Sequence, residues 1–317
     1  MSTPEEGDQE PVPVEPEPVL DPKEQFLADL QSGGTVELSD DISLSSSVPV
    51  TQDTIIDLNG HTIEAALSSA LFGVDGAKLT LRGNGTVQNN KWIGSVTNGG
   101  RVTIDGGNYV SQNEAFYANN GGTIIFNGGH ISSVECALNA GGNAVVEMNG
   151  GTIETSDNMG IATNGSSGRG GNTITMNGGT IDANIRSAGF EAIGVYIANS
   201  DKFVMNDGEI IANGGTGLCM RAGEVEIHGG KITATKTNKA GEVVPDGKIA
   251  DRNSAMVGCA AIIYDEAANY PAKAGMKLTV DGGIITGVDH SVQVLSSEET
   301  PQVFVTGGTF TPAYPAA

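Results

Sequence analysis

Basic residues are scarce in this sequence, and their scarcity excludes two classes of partner. Only 16 of the 317 residues are Lys or Arg, against 38 Asp or Glu, so the formal net charge is −22. Proteins bind nucleic acids and anionic membranes through clustered Lys and Arg side chains. We therefore expect neither as a partner. A soluble, self-repelling surface is the simplest interpretation, with a bound cation or a basic partner protein as alternatives.

Cysteines and long apolar runs are also lacking. Cys136, Cys219 and Cys259 show neither a metal-binding spacing nor a disulfide framework, so we expect free thiols in or near the core. Free thiols suit a protein that folds inside a cell. No apolar run resembles a signal peptide or a membrane span. These observations predict synthesis in the cytoplasm, no membrane insertion, and exit only by lysis or a non-classical route.

Glycine is abundant, with 46 residues, and much of it belongs to a repeat. The clearest copy reads Ala144-Val-Val-Glu-Met followed by Asn149-Gly-Gly-Thr-Ile-Glu. Ten copies close on an apolar residue, and the commonest step between these residues is 22: Ile63, Val87, Tyr109, Ile131, Ile153, Ile181, Ile210, Ile232, Ile285 and Phe310. Self-similarity at a fixed period predicts a solenoid, whose repeats bury their apolar faces against their neighbours.

Each repeat predicts three short strands. Apolar residues alternate before the glycine pair, as in Val146 and Met148, and a period of two indicates a strand. The Asn-Gly-Gly or Asp-Gly-Gly that follows is a corner, because these residues tolerate positive φ. A second strand follows the corner, and a third precedes the next repeat, as in Ala137-Leu-Asn-Ala. Three strands and three turns fill about 22 residues.

This pattern resembles the right-handed parallel β-helix of the pectin-lyase-like superfamily and of many phage tailspikes, over roughly residues 33–311. The resemblance implies an all-β, single-stranded solenoid of about ten coils. Three sheets would surround a narrow core, and an N-terminal helix would cap it. One such scaffold carries lyases, hydrolases, adhesins and inert fibres, so the fold alone does not identify a function.

The chain divides into four parts. Residues 1–20 hold six acids, five prolines and no basic side chain, and they predict a disordered spacer or an anchor that becomes ordered on a larger assembly. Residues 21–33 predict a capping helix, with Asp21 as N-cap, Pro22 in the first turn and Gly33 as its end. The β-helix follows at 34–311 and a tail at 312–317.

Deviations from the repeat length locate insertions and an uncovered end. The longest insertion, 235–253, holds four of the basic residues, and a loop of this length contacts a partner or is a floppy insertion. A shorter insertion follows at 265–275. The C-terminus shows no capping helix, so we expect a neighbouring subunit to cover that end.

One pair of carboxylates is a candidate for chemistry. The outward positions after the closing residues are Glu64, Gln88, Val110, Ser132, Glu154, Asp182, Ile211, Thr233, Thr286 and Thr311. Glu154 and Asp182 fall in consecutive coils, roughly 5 Å apart at the backbone. Such a pair could act as acid and nucleophile in a retaining glycosidase, or bind a cation. Their neighbours are Thr, Ser and Ile, without a basic or aromatic cluster for sugar.

We therefore predict no catalytic residue, no cofactor and no metal site. The four histidines are dispersed and favour structural or solvated roles, with His130 in the same outward row as Thr152 and Thr180. The Gly-rich corners lack the Lys-Ser/Thr and the helix of a phosphate-binding loop.

The sequence favours a non-enzymatic phage virion protein, such as a capsid fibre, decoration or tail-fibre component, located in the virion. Residues 1–20 would dock on the particle, and the resemblance implies a homotrimer with a possible host-surface glycan as ligand. The alternative is a polysaccharide-binding or polysaccharide-cleaving β-helix of the tailspike or lyase type, with Glu154 and Asp182 as the residues to test. A bacterial surface adhesin is the third hypothesis.

Overall fold

Parallel strands stacked in coils make up most of the molecule. The computed structural model describes residues 21–185, 192–243, 260–266, 274–296 and 300–313. Within these residues the chain is all-β apart from one N-terminal helix, which confirms the predicted parallel β-helix. Antiparallel pairing in the described residues is confined to one bridge, between Thr237 and Val243.

The helix, α1 (Pro22–Ser32), covers the first coil. Asp21 caps it, because the Asp21 carboxylate accepts a hydrogen bond from the Glu24 backbone N–H at 2.8 Å. Gly33 ends it with a positive φ of 75°. Phe26 and Leu30 are buried in the main core, so the helix closes the apolar interior at this end.

Thirty strands follow the helix. The first nine are β1 (Gly34–Glu37), β2 (Ile42–Leu44), β3 (Val48–Val50), β4 (Thr54–Asp57), β5 (Thr62–Ala65), β6 (Phe72–Asp75), β7 (Lys78–Arg82), β8 (Thr86–Asn89) and β9 (Gly94–Thr97). The next nine are β10 (Arg101–Ser111), β11 (Phe116–Asn119), β12 (Thr123–Ser133), β13 (Cys136–Gly141), β14 (Val145–Met148), β15 (Thr152–Thr155), β16 (Met159–Thr163), β17 (Thr173–Met176) and β18 (Thr180–Asn184). The last twelve are β19 (Ala192–Ile197), β20 (Lys202–Met205), β21 (Glu209–Asn213), β22 (Gly215–Met220), β23 (Glu224–Ile227), β24 (Lys231–Thr235), β25 (Ile262–Asp265), β26 (Lys277–Val280), β27 (Ile284–Thr286), β28 (Val292–Leu295), β29 (Val303–Val305) and β30 (Thr309–Thr311).

The strands stack in three columns. The first column holds β1, β4, β7, β10, β12, β14, β17, β20, β23, β26 and β29. The second holds β2, β5, β8, β10, β12, β15, β18, β21, β24, β27 and β30. The third holds β3, β6, β9, β11, β13, β16, β19, β22, β25 and β28. Eleven coils therefore stack in the first two columns and ten in the third, close to the predicted ten.

The three columns form two sheets rather than the three that we predicted. Strands β10 and β12 run through the corner without a break, so each belongs to both the first and the second column. At these coils the glycine pairs after Asp105 and Asn127 are bulges, seen as a shift of register between the two strands. The first two columns therefore share one sheet, and the third column forms the other.

The core follows the predicted alternation. Val146 and Met148 of β14 are fully buried, and the closing residue Ile153 of β15 is fully buried as well. The same pairs are buried in every coil from β7 to β26, and they join one continuous apolar cluster. The last coil differs, since Val303, Val305 and Phe310 are only partly buried and Phe304 is 45% exposed. The predicted neighbouring subunit at this end stays a prediction.

The corners between the first and second columns form a ladder of side-chain amides. Asn206 donates to Asn177, Asn177 to Asn149, Asn149 to Asn127, and Asn127 to Asp105, at 2.7 to 2.8 Å. Coils approach closely here: a Cβ on Gly129 would lie 2.6 Å from the Gly107 oxygen of the preceding coil. Only glycine fits this approach, which explains the second glycine of the repeated pair.

Several sequence predictions lie wholly or partly outside the described residues. The proposed anchor at 1–20 and Cys259 are outside, as is much of the 235–253 insertion. Cys136 and Cys219 are buried and not in a disulfide, as expected. The described residues contain no helix long and apolar enough to cross a membrane.

Candidate functional site

The predicted carboxylate pair lies on the outer face of the second column. Glu154 of β15 and Asp182 of β18 are direct partners in the parallel register, as the repeat spacing predicted. The outward row continues to Ser132 on one side and to Ile211 on the other. The backbone therefore holds both carboxylates at a fixed separation.

A lysine from the long insertion joins this pair. Lys239 Nζ lies 2.7 Å from Asp182 Oδ2 and 3.2 Å from Glu154 Oε1. Lys239 is separated from Glu154 by 85 residues. The expectation that no basic group lies near the pair was therefore wrong.

The described part of the insertion, residues 236–243, is called the strap below. It leaves the end of β24 and folds back on itself, with a bridge between Thr237 and Val243. The turn is built around Asn238, whose Oδ1 accepts a hydrogen bond from the Glu242 backbone N–H at 2.9 Å. The Asn238 amide also donates to the Glu242 carboxylate at 2.9 Å. The strap is therefore an ordered turn.

The strap is fixed to the coils that it crosses. The Lys239 backbone N–H donates to Asn184 Oδ1 at 2.8 Å, and the Asn238 amide donates to the Ile185 oxygen at 3.3 Å. These two contacts hold the strap against the end of β18. The Lys239 side chain is consequently directed towards the carboxylates.

Two more side chains complete this cluster. His130 Nε2 lies 3.2 Å from Glu154 Oε2, and Asn213 Nδ2 donates to Asp182 Oδ1 at 2.6 Å. His130 occupies the predicted outward row, directly beside Thr152. We call His130, Glu154, Asp182, Asn213 and Lys239 the charged cluster.

The electrostatics of the charged cluster favour a structural role, in which Lys239 links Glu154 and Asp182 by ion pairs. Partial burial raises the pKa of Glu154. Lys239 and His130 together lower this pKa by more than burial raises it, so the net shift is downward. Burial lowers the pKa of Lys239, while Asp182 and Glu154 raise it, and the net shift is upward. A glycosidase acid needs a carboxyl with a raised pKa, and a lysine base needs a lowered one. Glu154 and Lys239 are shifted in the opposite directions.

The outer face of the third column carries a second, aromatic cluster. Tyr117 of β11 points outward in the same row as Ser95 and Asn139, its partners in the neighbouring coils. Trp92 lies just before β9 and stacks on Tyr117, with ring centroids 5.7 Å apart and planes 25° apart. Lys91 Nζ lies 4.3 Å from the Trp92 ring centroid. Both aromatic rings are only partly buried.

Polar groups hold the Trp92 ring in place. The Trp92 indole N–H donates to Glu114 Oε2, and the other oxygen of this carboxylate accepts from the Asn139 amide at 2.6 Å. Burial and the Glu114 charge raise the pKa of Tyr117 against the opposing effect of Arg169. We call Trp92, Tyr117, Glu114 and Asn139 the aromatic cluster.

An open groove lies beside the aromatic cluster. It follows the corner between the second and third columns across three coils and encloses about 450 Å³. Its lining combines two apolar residues with five polar ones: Ala66, Leu67, Ser68, Asn90, Lys91, Gln112 and Asn113. Lys91 belongs both to the groove and to the contact with Trp92, so the two features are continuous.

Farther along the third column the side chains of the outer row are buried. Tyr196, Cys219 and Ile263 are buried in a second apolar cluster. Beside them Arg221 Nε lies 3.2 Å from Asp265 Oδ2, and both side chains are fully buried. No repeat pattern in the sequence indicates this buried ion pair.

One sequence signal could have revealed the aromatic cluster. Ser95, Tyr117 and Asn139 are each 22 residues apart, which is one coil, so reading the outward row of the third column places Tyr117 beside Asn139. The direction of Trp92, which lies in a corner, has no such signal.

The described residues contain no group of three or more His, Cys, Asp or Glu side chains arranged to hold a metal ion. Comparisons with known proteins returned no matching family model, no matching curated protein and no matching solved structure.

Proposed function

We propose that this protein is a non-enzymatic structural or attachment protein, and that it serves as a rod-shaped component of a larger particle such as a phage virion. The observation that carries this proposal is the unbroken parallel stack from β1 to β30. Eleven coils at a spacing of about 4.8 Å give a rod about 50 Å long. A rod of this kind can hold a binding surface at a fixed distance from an anchor.

The charged cluster supports the non-enzymatic part of the proposal. The Lys239 ammonium contacts both candidate carboxylates, and it is itself held by backbone contacts of the strap. A reacting group in the same place would have to displace this lysine. The ion pairs of Lys239 join two coils to the insertion, which is a structural role.

Imaging of the native particle tests the assignment. We expect rods about 50 Å long on the particle surface, and we expect a chain without residues 1–20 to be absent from the particle although it is expressed and folded. The homotrimer belongs to the same proposal, and light scattering should give three times the 32.4 kDa of one chain. A soluble monomer that never associates with particles would contradict the proposal.

One observation favours a second function, the cleavage of polysaccharide. His130, Glu154, Asp182 and Lys239 lie within contact distance on one outer face, which brings acids and bases together. A depolymerisation assay of the wild type against Glu154→Ala separates the two functions. Product formation that disappears in Glu154→Ala would establish the enzyme.

A further inference from the structure

We propose that the aromatic cluster and the adjoining groove form a binding site for neutral oligosaccharides. This inference rests on the proposed attachment function and names the class of ligand that it would take. The site lies on the outer face of the third column, away from the Glu154–Asp182 pair on the second.

The aromatic rings provide the apolar contact. One face of a pyranose ring presents C–H groups, and a partly exposed aromatic ring offers a complementary flat surface. Trp92 and Tyr117 are stacked and half-exposed, and their backbones are fixed by neighbouring coils. Lys91 lies over Trp92 at 4.3 Å, and a sugar ring could take the place of this contact. A cation–π contact at an exposed site contributes only about 0.5–1 kcal/mol, so its displacement is inexpensive.

Fixed polar groups provide the hydrogen bonds. Glu114 accepts from the Trp92 indole and from the Asn139 amide, so its carboxylate is held beside the rings. Ligand sites combine an apolar wall with a few placed polar groups. Because these groups are already fixed by the coils, binding would lose little side-chain entropy.

The groove provides contacts for further sugar units of an oligosaccharide. Asn90 and Gln112 are exposed and Asn113 is half-exposed, and they recur at successive corners along the groove. Amides offer both donors and acceptors to sugar hydroxyls. A linear oligosaccharide lying across the coils would pass from these amides to Trp92.

The charge of the protein selects a neutral ligand. The net charge is −22, and Glu114 lies at the centre of the cluster, so a polyanionic sugar would be repelled. Lys91 is the only cation lining the groove among the described residues. A neutral hexose or N-acetylhexosamine polymer fits this balance better than a polyuronate.

The test uses the single tryptophan of the chain as its reporter. The full-length protein is titrated with cellohexaose, chitohexaose, mannohexaose and hexagalacturonate, by tryptophan fluorescence and by calorimetry. We expect a fluorescence change with at least one neutral hexamer. Trp92→Ala and Tyr117→Ala, followed by calorimetry, should each raise Kd at least about tenfold, which corresponds to about 1.4 kcal/mol.

Phe304→Ala is the matched control, because Phe304 is an exposed aromatic residue at the far end of the rod. It should leave Kd unchanged, and all three variants should melt as cooperatively as the wild type. The proposal is overturned if no neutral hexamer binds, if both cluster variants bind like the wild type, or if hexagalacturonate binds most tightly. Binding with cleavage would instead contradict the proposed function and leave this site intact.

Discussion

The charged cluster and the aromatic cluster are built alike, but they differ in how far the rest of the chain covers them. Each unites side chains from neighbouring coils, as with Glu154 beside Asp182 and Tyr117 beside Asn139. On the second column the strap covers the carboxylates with Lys239. On the third column the aromatic rings stay partly exposed beside an open groove. The same scaffold therefore gives one surface saturated by its own chain and one that is available to a ligand.

This difference shows how function can be located on a repetitive protein. A cluster of acids and bases attracts attention as a catalytic site, yet here a lysine of the same chain already contacts both carboxylates. The aromatic cluster contains few titratable groups, but its rings stay partly exposed beside an open groove. Availability to a ligand distinguishes the two faces better than the number of reactive groups does.

The largest expected effect tests the assignment of inside and outside that both clusters need. Ile153 is fully buried, while its neighbour Glu154 points outward on the same strand. Ile153→Asp should destabilise the protein by about 4 kcal/mol or more, since it removes apolar burial and buries a carboxyl group. Glu154→Ala should cost about 1 kcal/mol or less. Denaturant unfolding of both variants checks this, and equal stabilities would refute the strand orientation.

The buried ion pair tests the contrast between the open and closed parts of the third column. Asp265→Ala should destabilise by about 3–5 kcal/mol, because it removes the buried carboxylate that balances the Arg221 charge. Adding Arg221→Met should restore part of this loss. A double-mutant cycle by thermal unfolding measures the coupling. Additive single effects would show that the pair is not coupled in the folded protein.

A smaller effect tests the strap. Lys239→Met should destabilise by about 0.5–1 kcal/mol, since the ion pairs are about 40% exposed on the lysine side and screened by water. Added salt should reduce the difference between wild type and variant. Lys239→Arg, which keeps the charge, is the control. If Lys239→Met melted at the wild-type temperature in low salt, the ion pairs of Lys239 would not stabilise the protein.

The pH dependence of this difference has a definite sign. The folded-state pKa of Glu154 is below its ordinary value of 4.5, so its contribution is present above that value. It is lost as the pH falls through the folded pKa. The folded-state pKa of Lys239 is above 10.5, so its contribution is lost as the pH rises through the folded pKa. The stability difference between wild type and Lys239→Met should be largest near neutral pH, and it should shrink both in acid and above the folded pKa of Lys239.

The sequence predicted the coil well because the signals for it are local. Alternation in segments such as Val146 to Met148, and glycine pairs at fixed offsets, specify strands and corners within a few residues. The same register placed Glu154 beside Asp182. The sequence could not predict that the first and second columns share one sheet, because β10 and β12 carry the same corner residues as their neighbours.

The long-range contacts could not be predicted from the repeat. Lys239 lies in an insertion that follows no period, so nothing in the sequence indicates that it returns across several coils to Glu154. The Arg221–Asp265 pair also spans an insertion, between β22 and β25. The aromatic cluster is intermediate: its Tyr117 row follows the register, while the position of Trp92 depends on side-chain packing at a corner.

The most direct test of the central claim, a rod that holds a glycan without cleaving it, is the length of the bound sugar. The hexamer that alters Trp92 fluorescence is incubated at length with the wild-type protein, and its mass is then measured. We expect the hexamer to be recovered intact from the wild type and to bind Trp92→Ala at least about tenfold more weakly. Shorter products from the wild type, absent with Glu154→Ala, would contradict it.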